Sequence, residues 1–142
     1  MQVILAAMGG GAPGTMTAEC AGALAAAECV VGARRLLAAL PAGCTARRVE
    51  AARPQEVLQA VLEARGYASL CVVAYSGDTG FYSGACGLLP LLAERMADEG
   101  IVICEHETGL EMPETVGVLE QKKQKKYGAI TVTTYVCRKD AV

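Results

Sequence analysis

Short apolar runs alternate along the chain with longer segments of helical periodicity. QVILAAM near the start and SLCVVAY in the middle are continuously apolar, which is typical of strands buried on both faces of a parallel sheet. The predicted strands cover residues 2–8, 28–32, 45–50, 69–75 and 100–106. The predicted helices cover residues 15–27, 33–40, 53–65 and 84–97. This order of elements predicts a parallel sheet covered by helices.

The helix ends carry recognisable signals. Thr15 or Thr17 is the expected N-cap of the first helix, and Pro54 lies near the start of the third. Pro90 falls inside the fourth helical pattern, which predicts either a kink or a later start there.

The pattern of predicted elements changes in the last forty residues. ETGLEMPET is loop-like, and VGVLEQKKQ and KYGAITVTTYVCR then read as two strands, the second rich in Thr, Val and Tyr. An antiparallel hairpin on one edge of the sheet is the expected arrangement. The predicted fold is a single three-layer α/β domain: a mostly parallel sheet of about five strands, helices on both faces and a C-terminal hairpin.

Composition agrees with a compact domain, because 53% of the 142 residues are hydrophobic and 20% are charged. No apolar run is long enough to cross a bilayer, and the N-terminus reads as a strand and turn instead of a signal peptide. The seven cysteines are an odd number without a CxxC pair. They favour buried free thiols, and therefore a cytoplasmic protein. The net charge of −2 argues against an RNA partner. The lack of a spanning run predicts no membrane partner.

Two glycine-rich loops each follow a predicted strand: GGGAPG at 9–14 and GDTGFYSG at 77–84. Loops at the carboxyl ends of parallel strands line one edge of the sheet, where ligands bind. Asp78 supplies a carboxylate that could accept a hydrogen bond from a ribose hydroxyl or a ligand amine. Ordinary tight turns are the alternative. The first loop does not match GxGxxG, and no Gly-Lys-Ser/Thr follows it, so a phosphate-cradling NTPase is disfavoured.

The other candidate residues are expected to have structural roles in preference to catalytic or metal-binding ones. His106, the only histidine, lies between Glu105 and Glu107, and a solvent-facing polar cluster at a strand end is expected in preference to a general base or a metal site. Cys71 and Cys104 are expected in the core. The run KKQKK at 122–126 is expected to be a solvated run that protects a strand edge.

Residues 1–95 resemble the N-terminal domain of tetrapyrrole methylases, specifically the precorrin-6Y / cobalt-precorrin-7 methyltransferases of cobalamin biosynthesis. VILAAMGGGAPGTMTAEC, ECVVGARRLL and VVAYSGDTGFYSGACGLLPLL carry the resemblance. The family's G-x-G-P-G segment matches Ala7 to Gly11, with its first glycine and its proline replaced. Its G-D-P-G loop matches Gly77 to Gly80, with threonine in place of proline.

This resemblance implies S-adenosylmethionine-dependent C-methylation of a corrin precursor, of the precorrin-6Y C5,15-methyltransferase type. The implied cofactor is S-adenosylmethionine and the implied substrate is a precorrin. No metal and no catalytic side chain are implied. The residues expected to contact the donor are Gly9, Gly10, Gly11, Gly77, Asp78, Thr79 and Gly80.

The rest of the chain departs from that family, whose second domain has no counterpart here. Residues 90–137 instead resemble the C-terminal end of RsmD-type methyltransferases, which methylate a guanine of small-subunit ribosomal RNA. GIVICEH and KKYGAITVTTY carry this likeness. The GxG donor segment and the D-P-P-Y loop of that family are absent.

The expected organisation is therefore one domain in which residues 1–95 are tetrapyrrole-methylase-like and residues 96–142 are rRNA-methyltransferase-like. A recombinant of two methyltransferase fragments, natural or made in the laboratory, is the hypothesis, with catalysis in doubt because half of the donor cleft is missing. The alternatives are an rRNA guanine methyltransferase fragment and a non-catalytic chimeric domain that self-associates through an exposed apolar face.

Overall fold

The computed structural model describes residues 1–9, 14–76, 79–97 and 99–139, with the backbone alone over 79–86. The strands that pair in parallel are β1 (Gln2–Ala7), β2 (Cys29–Gly32), β3 (Arg47–Glu50), β4 (Leu70–Tyr75) and β5 (Ile101–Glu107). The helices between them are α1 (Ala18–Ala26), α2 (Arg34–Ala38), α3 (Pro54–Ala64) and α4 (Thr79–Arg95). The antiparallel strands are β6 (Thr115–Val116), β7 (Leu119–Tyr127) and β8 (Ile130–Cys137).

All of these strands form one sheet, in the order β3-β2-β4-β1-β5-β8-β7-β6. The predicted fold class is confirmed: a mostly parallel α/β sheet carries helices and ends in an antiparallel hairpin. The hairpin of β7 and β8 lies beside β5, which pairs in parallel with β1 on its other side. The two-residue strand β6 was not expected, and the turn at Gly128 and Ala129 falls inside the segment predicted as the second strand of the hairpin.

Alternation along each strand divides the core into two layers. On one face, called the α1 face, α1 and α2 bury Leu24 and Leu36 against Ala6 and Met8. On the opposite face, called the α4 face, α3 and α4 pack against the other side of the same strands. The α4-face cluster includes Leu5, Val57, Val73, Leu88 and Leu92. Successive side chains of a strand point to opposite faces of the sheet. One continuous apolar run therefore provides core residues for the helices on both faces.

Two helices begin where local chemistry favours a start. Thr17 caps α1, and its Oγ1 accepts a hydrogen bond from the backbone N–H of Cys20 at 3.1 Å. Of the two predicted caps, Thr17 is the one used. Helix α3 begins with Pro54, whose fixed φ suits the first helical position. The Glu56 side chain accepts a hydrogen bond from the backbone N–H of Arg53 at 3.3 Å.

Helix α4 differs from the prediction. It begins at Thr79, five residues before the expected start, and it runs through Pro90 to Arg95. The predicted later start is therefore wrong, and most of the expected second glycine-rich loop is helical. The exposed Pro90 is tolerated, although it lacks the N–H that would bond to the preceding turn. The sequence pattern does not predict the start of this helix, because the segment contains glycines, whose helix propensity is low.

The hairpin is held by its turn and by one buried tyrosine. Gly128 adopts a φ of +63° between β7 and β8, a conformation that L side chains rarely take. Tyr135 is fully buried, and its hydroxyl donates to the carbonyl oxygen of Pro113 at 2.6 Å. This hydrogen bond fixes the 108–114 loop against the α4 face of the hairpin.

The six cysteines whose side chains the structure describes are buried thiols that form no disulfide, and Cys71 and Cys104 lie in the core. Burial raises the pKa of the Cys20 thiol to about 12 and also raises that of Cys71, so both remain protonated at neutral pH. Among the described helices, none is long and apolar enough to cross a membrane.

Candidate functional site at the carboxyl edge

The strands that precede the two glycine-rich segments end side by side. Strands β1 and β4 are parallel neighbours whose last paired residues are Ala7 and Tyr75. Immediately beyond, the backbone N–H of Met8 donates to the carbonyl oxygen of Tyr75 at 2.8 Å. The chain therefore leaves both strands at the same point of the sheet edge.

This point is where the connections diverge. From β1 the chain runs through α1 to β2, which lies on the far side of β4. From β4 it runs through α4 to β5, which lies on the far side of β1. Helices leaving neighbouring strands toward opposite faces open a crevice at their carboxyl ends, the usual ligand position in open α/β sheets.

Gly9 is the predicted site residue for which the structure describes contacts with other residues. Its φ is +63°, and a Cβ added to it would lie 2.5 Å from the carbonyl oxygen of Thr15 and 2.8 Å from Thr15 Oγ1. Both the backbone conformation and the contact with Thr15 require glycine here. The backbone before α1 is thus packed tightly against the end of β1.

The other predicted site residues are less fully described. Gly10, Gly11, Gly77 and Asp78 lie outside the described residues. Thr79 and Gly80 form the first turn of α4. Helix N-termini present unpaired N–H groups, so a ligand in the crevice would meet donors at this turn.

A buried carboxyl lies close to the crevice, and the sequence interpretation missed it. Glu105 on β5 is 4% exposed, and its Oε1 accepts a hydrogen bond from the hydroxyl of Thr17 at 2.8 Å. The same hydroxyl oxygen accepts from the Cys20 N–H, so one side chain caps α1 and satisfies the carboxyl. Only the tertiary contact between α1 and β5 reveals this pair.

Burial raises the pKa of Glu105, and the nearby Glu19 carboxylate raises it further. The Thr17 hydrogen bond acts in the opposite direction, because it favours the ionised carboxylate. Glu105 is therefore an acid that holds its proton to higher pH than an exposed glutamate.

A cavity of about 350 Å³ adjoins Gly9 on this edge. Its lining residues come from β1, the α1 entry, the end of β5 and the hairpin turn: Ala7, Gly9, Thr15, Thr17, Glu107, Thr108, Ala129 and Ile130. A smaller depression of about 180 Å³ lies at the ends of β2 and β4 and includes Gly32, Tyr75 and Ser76. The first volume is within the range of small-molecule pockets.

His106 contradicts the expectation of a solvent-facing cluster. It is 1% exposed and Glu105 is 4% exposed, and only Glu107 of the three is exposed. The prediction failed because β8 covers the outer edge of β5, a long-range pairing that the local sequence does not reveal.

The hydrogen bonds of His106 define its tautomer. Its Nδ1 lies 2.9 Å from the carbonyl oxygen of Glu107, which can only accept, so Nδ1 carries the proton. Its Nε2 lies 2.8 Å from Thr133 Oγ1 and accepts from that hydroxyl in the neutral ring. Burial lowers the pKa of His106 and outweighs the opposing effect of the Glu107 carbonyl.

A larger cavity, of about 890 Å³, lies on the α4 face between the hairpin and the 108–114 loop. His106 and Thr131 line it together with residues of β7. His106 and Glu105 point to opposite faces of β5, and Thr108 lines both this cavity and the one beside Gly9. Among the described residues no group of three or more His, Cys, Asp or Glu side chains could hold a metal ion.

Comparison with known proteins gives a fold relationship. No protein-family model matches the chain, and no curated protein matches it. A solved cobalamin biosynthetic enzyme, the cobalt precorrin-4 methyltransferase CbiF, is similar in structure, with a TM-score of 0.56 and 20% identity over 72% of this chain. The match covers 44% of that enzyme, so the present chain spans less than half of its length.

Two further structures match more weakly. A candidate methyltransferase of Escherichia coli, yhhF, has a TM-score of 0.41 and 18% identity, with 79% of this chain and 76% of that chain covered. A conserved hypothetical protein of Streptococcus pyogenes has a TM-score of 0.38 and 18% identity, with 78% and 86% covered. The fold relationship therefore rests on CbiF alone, and it extends over less than half of that enzyme.

Proposed function

We propose that the chain carries the donor-binding half of an S-adenosylmethionine-dependent methyltransferase, with the donor at the carboxyl edge between β1 and β4. The observation that carries the proposal is that the two strands preceding the glycine-rich segments end side by side, at the point where the connections diverge. Gly9 supports it, since its backbone conformation excludes a side chain next to a cavity of suitable size.

The proposed donor contacts are Gly9, Gly10, Gly11, Gly77, Asp78, Thr79 and Gly80. Glycine allows the backbone to approach a ligand closely, and the first turn of α4 offers N–H donors. The Asp78 carboxylate would accept hydrogen bonds from a ribose hydroxyl or from the donor's amino group.

S-adenosylmethionine supplies an activated methyl group on a sulfonium sulfur. Transfer breaks the sulfur–methyl bond as the acceptor carbon forms its own bond to the methyl group. The contribution of the chain is alignment of the two reactants, which can account for a large part of the rate of such a reaction. No side chain of the described residues is required as a nucleophile.

The proposed acceptor is a corrin precursor, in a reaction of the precorrin-6Y type. This step rests on the sequence resemblance of residues 1–95. Because the chain spans less than half of the similar enzyme, the wall that holds the acceptor would come from another domain or another chain.

Calorimetric titration of the folded protein with S-adenosylmethionine, and with its demethylated product, tests the donor site. We expect saturable binding of both, weakened by Asp78→Ala. Gly22→Ala is the matched control, because Gly22 lies in α1 with no atom within 4 Å of an added Cβ, and it should leave binding unchanged. An absence of heat at millimolar ligand, with the protein folded by circular dichroism, would contradict the proposal.

We also propose that two methyltransferase segments of different ancestry join near residue 95, where α4 leads into β5. The support is the change of resemblance at that place without a linker. Strand β5 has a parallel partner on one side and an antiparallel partner on the other. Sequencing of the source genomic locus tests this, and an uninterrupted family of this length would contradict it.

A further inference from the structure

Beyond Gln121, the outer edge of β7 has no strand partner among the described residues. Strand β6 pairs only with Leu119 and Glu120, and in the described part of the chain no strand pairs with the outer side of residues 122–127. All six of these residues are exposed. We call residues 122–127 the basic edge. Unpaired N–H and C=O groups along such a strand are a template for pairing with another extended chain.

The basic edge carries four lysines in five positions, 122–126. Neither ion pair recorded among the described residues involves them. Lys125 instead lies over the ring of Tyr127, at 5.0 Å from its centroid. The positive charge of this strand is therefore not neutralised locally. It discourages pairing with a second copy of β7, since like charges on adjacent strands repel, and it attracts an acidic strand.

The register assigns these side chains to two faces. Lys123, Lys125 and Tyr127 are opposite Thr134, Val132 and Ile130, on the face that Glu105 shares. Gln124 and Lys126 are opposite Thr133 and Thr131, on the face of His106. Any strand added to the edge would have the same alternation.

The cavity of about 890 Å³ lies on the His106 side of this edge. Gln121, Gln124 and Lys126 line it from β7. The 108–114 loop contributes apolar Leu110 and Met112, and two carboxylates, Glu111 and Glu114. Side chains of an added strand that point to this face would meet apolar contacts, the two carboxylates and the single lysine Lys126, so the excess of negative charge disfavours acidic residues there.

We propose that the basic edge binds an extended acidic segment of another protein as an additional β-strand. Acidic side chains of the segment alternate with uncharged ones. The acidic side chains lie beside Lys123 and Lys125, and the uncharged ones face the cavity. Backbone hydrogen bonds supply much of the affinity, and the charges select the partner and its register.

The test uses a fluorescently labelled peptide of alternating glutamate and valine, titrated with the full chain and followed by anisotropy. We expect saturable binding that weakens by about tenfold or more with the double substitution Lys123→Glu and Lys125→Glu, and also as salt rises from about 50 to about 200 mM. Amide exchange should slow at residues 122–127 when the peptide is bound. A peptide N-methylated at alternate amides should not bind.

The matched control is Arg35→Glu with Arg65→Glu, which changes the net charge equally at two exposed sites outside the hairpin. It should retain binding, and a peptide of glutamate alone should bind more weakly than the alternating one. Equal loss in the arginine control, full binding of the N-methylated peptide, or no binding at millimolar peptide would overturn the proposal. So would sedimentation showing that the unmodified chain dimerises and that the lysine substitutions abolish the dimer.

Discussion

At the residue scale, a few side chains are constrained by contacts that join distant segments of the chain. Gly9 is restricted by Thr15, and Thr17 serves both the N–H of Cys20 and the carboxyl of Glu105. Of these residues, Gly9, Thr15 and Thr17 line the cavity at the carboxyl edge. Changes at these positions therefore affect stability and the proposed donor site together.

Substitution of Gly9 by alanine should destabilise the fold by about 2 kcal/mol or more, because it combines positive φ with a clash against backbone. Urea unfolding followed by circular dichroism measures the loss. Gly22→Ala should stabilise by about 0.5–1 kcal/mol, since it replaces glycine within a helix with free space around the new methyl group. Equal stabilities of the two variants would contradict the contact seen at Gly9.

Replacement of Glu105 by glutamine should change the pH dependence of stability. The pKa of Glu105 is raised in the folded state, so its contribution is greatest below the ordinary value of 4.5 and is lost as pH rises through the folded pKa. Glu105→Gln keeps an oxygen acceptor for Thr17 and removes this loss. Urea midpoints from pH 4 to 8 should fall with rising pH more in the parent than in the variant. Glu107→Gln, at the exposed neighbour, is the control and should behave like the parent.

At the element scale, α1 depends on a cap that is also a tertiary contact. Its other stabilising features are modest, since it is a short alanine-rich helix of nine residues. Helix α4 continues through Pro90 because Leu88, Leu89 and Leu92 are buried, and their burial stabilises the helix around the proline. Burial thus overrides the low helix propensity of the segment.

Substitution of Thr17 by alanine should cost about 1–3 kcal/mol, because it removes the cap of α1 and leaves the Glu105 carboxyl without its donor. Thr17→Ser retains the hydroxyl and should cost much less. Measured in the Glu105→Gln background, the cost of Thr17→Ala should fall, since a neutral amide is less costly to leave unpaired. Additive effects of the two substitutions in a double-mutant cycle would contradict the coupling.

At the scale of the whole molecule, the hairpin is an integral part of the sheet and of its core. Strand β8 pairs along the whole of β5 and buries His106 and Glu105, and Tyr135 and Leu119 enter the core of the α4 face. The parallel sheet would otherwise end at an exposed strand. The carboxyl edge and the basic edge consequently belong to one continuous sheet.

Truncation after Thr108 should therefore prevent stable folding, because it exposes the edge of β5 and leaves the neutral His106 without Thr133. Circular dichroism and size-exclusion chromatography should report aggregation or loss of cooperative unfolding. Truncation after Arg138, which removes only residues beyond β8, is the control and should fold normally. A monomeric, cooperatively folded short fragment would show that the hairpin is dispensable.

The fold was largely predictable because its signals are local. Continuous apolar runs marked the parallel strands, and glycine, proline and threonine marked most helix limits. The start of α4 was not predictable from the same signals, because glycines at 80, 84 and 87 resemble a loop until Leu88 and Leu92 are seen to be buried. For the site, the sequence placed both glycine segments on one edge but could not reveal that Glu105 meets Thr17.

The sequence by itself determined the α/β class, the order of elements and the hairpin. The spacing of apolar residues along each strand and helix shows which of its faces is buried. The tertiary structure decided which strands are neighbours, and hence that β1 and β4 end together and that β8 covers β5. It also decided the chemical states of Glu105 and His106. Burial and hydrogen bonds set those states, and both depend on residues far away in the chain.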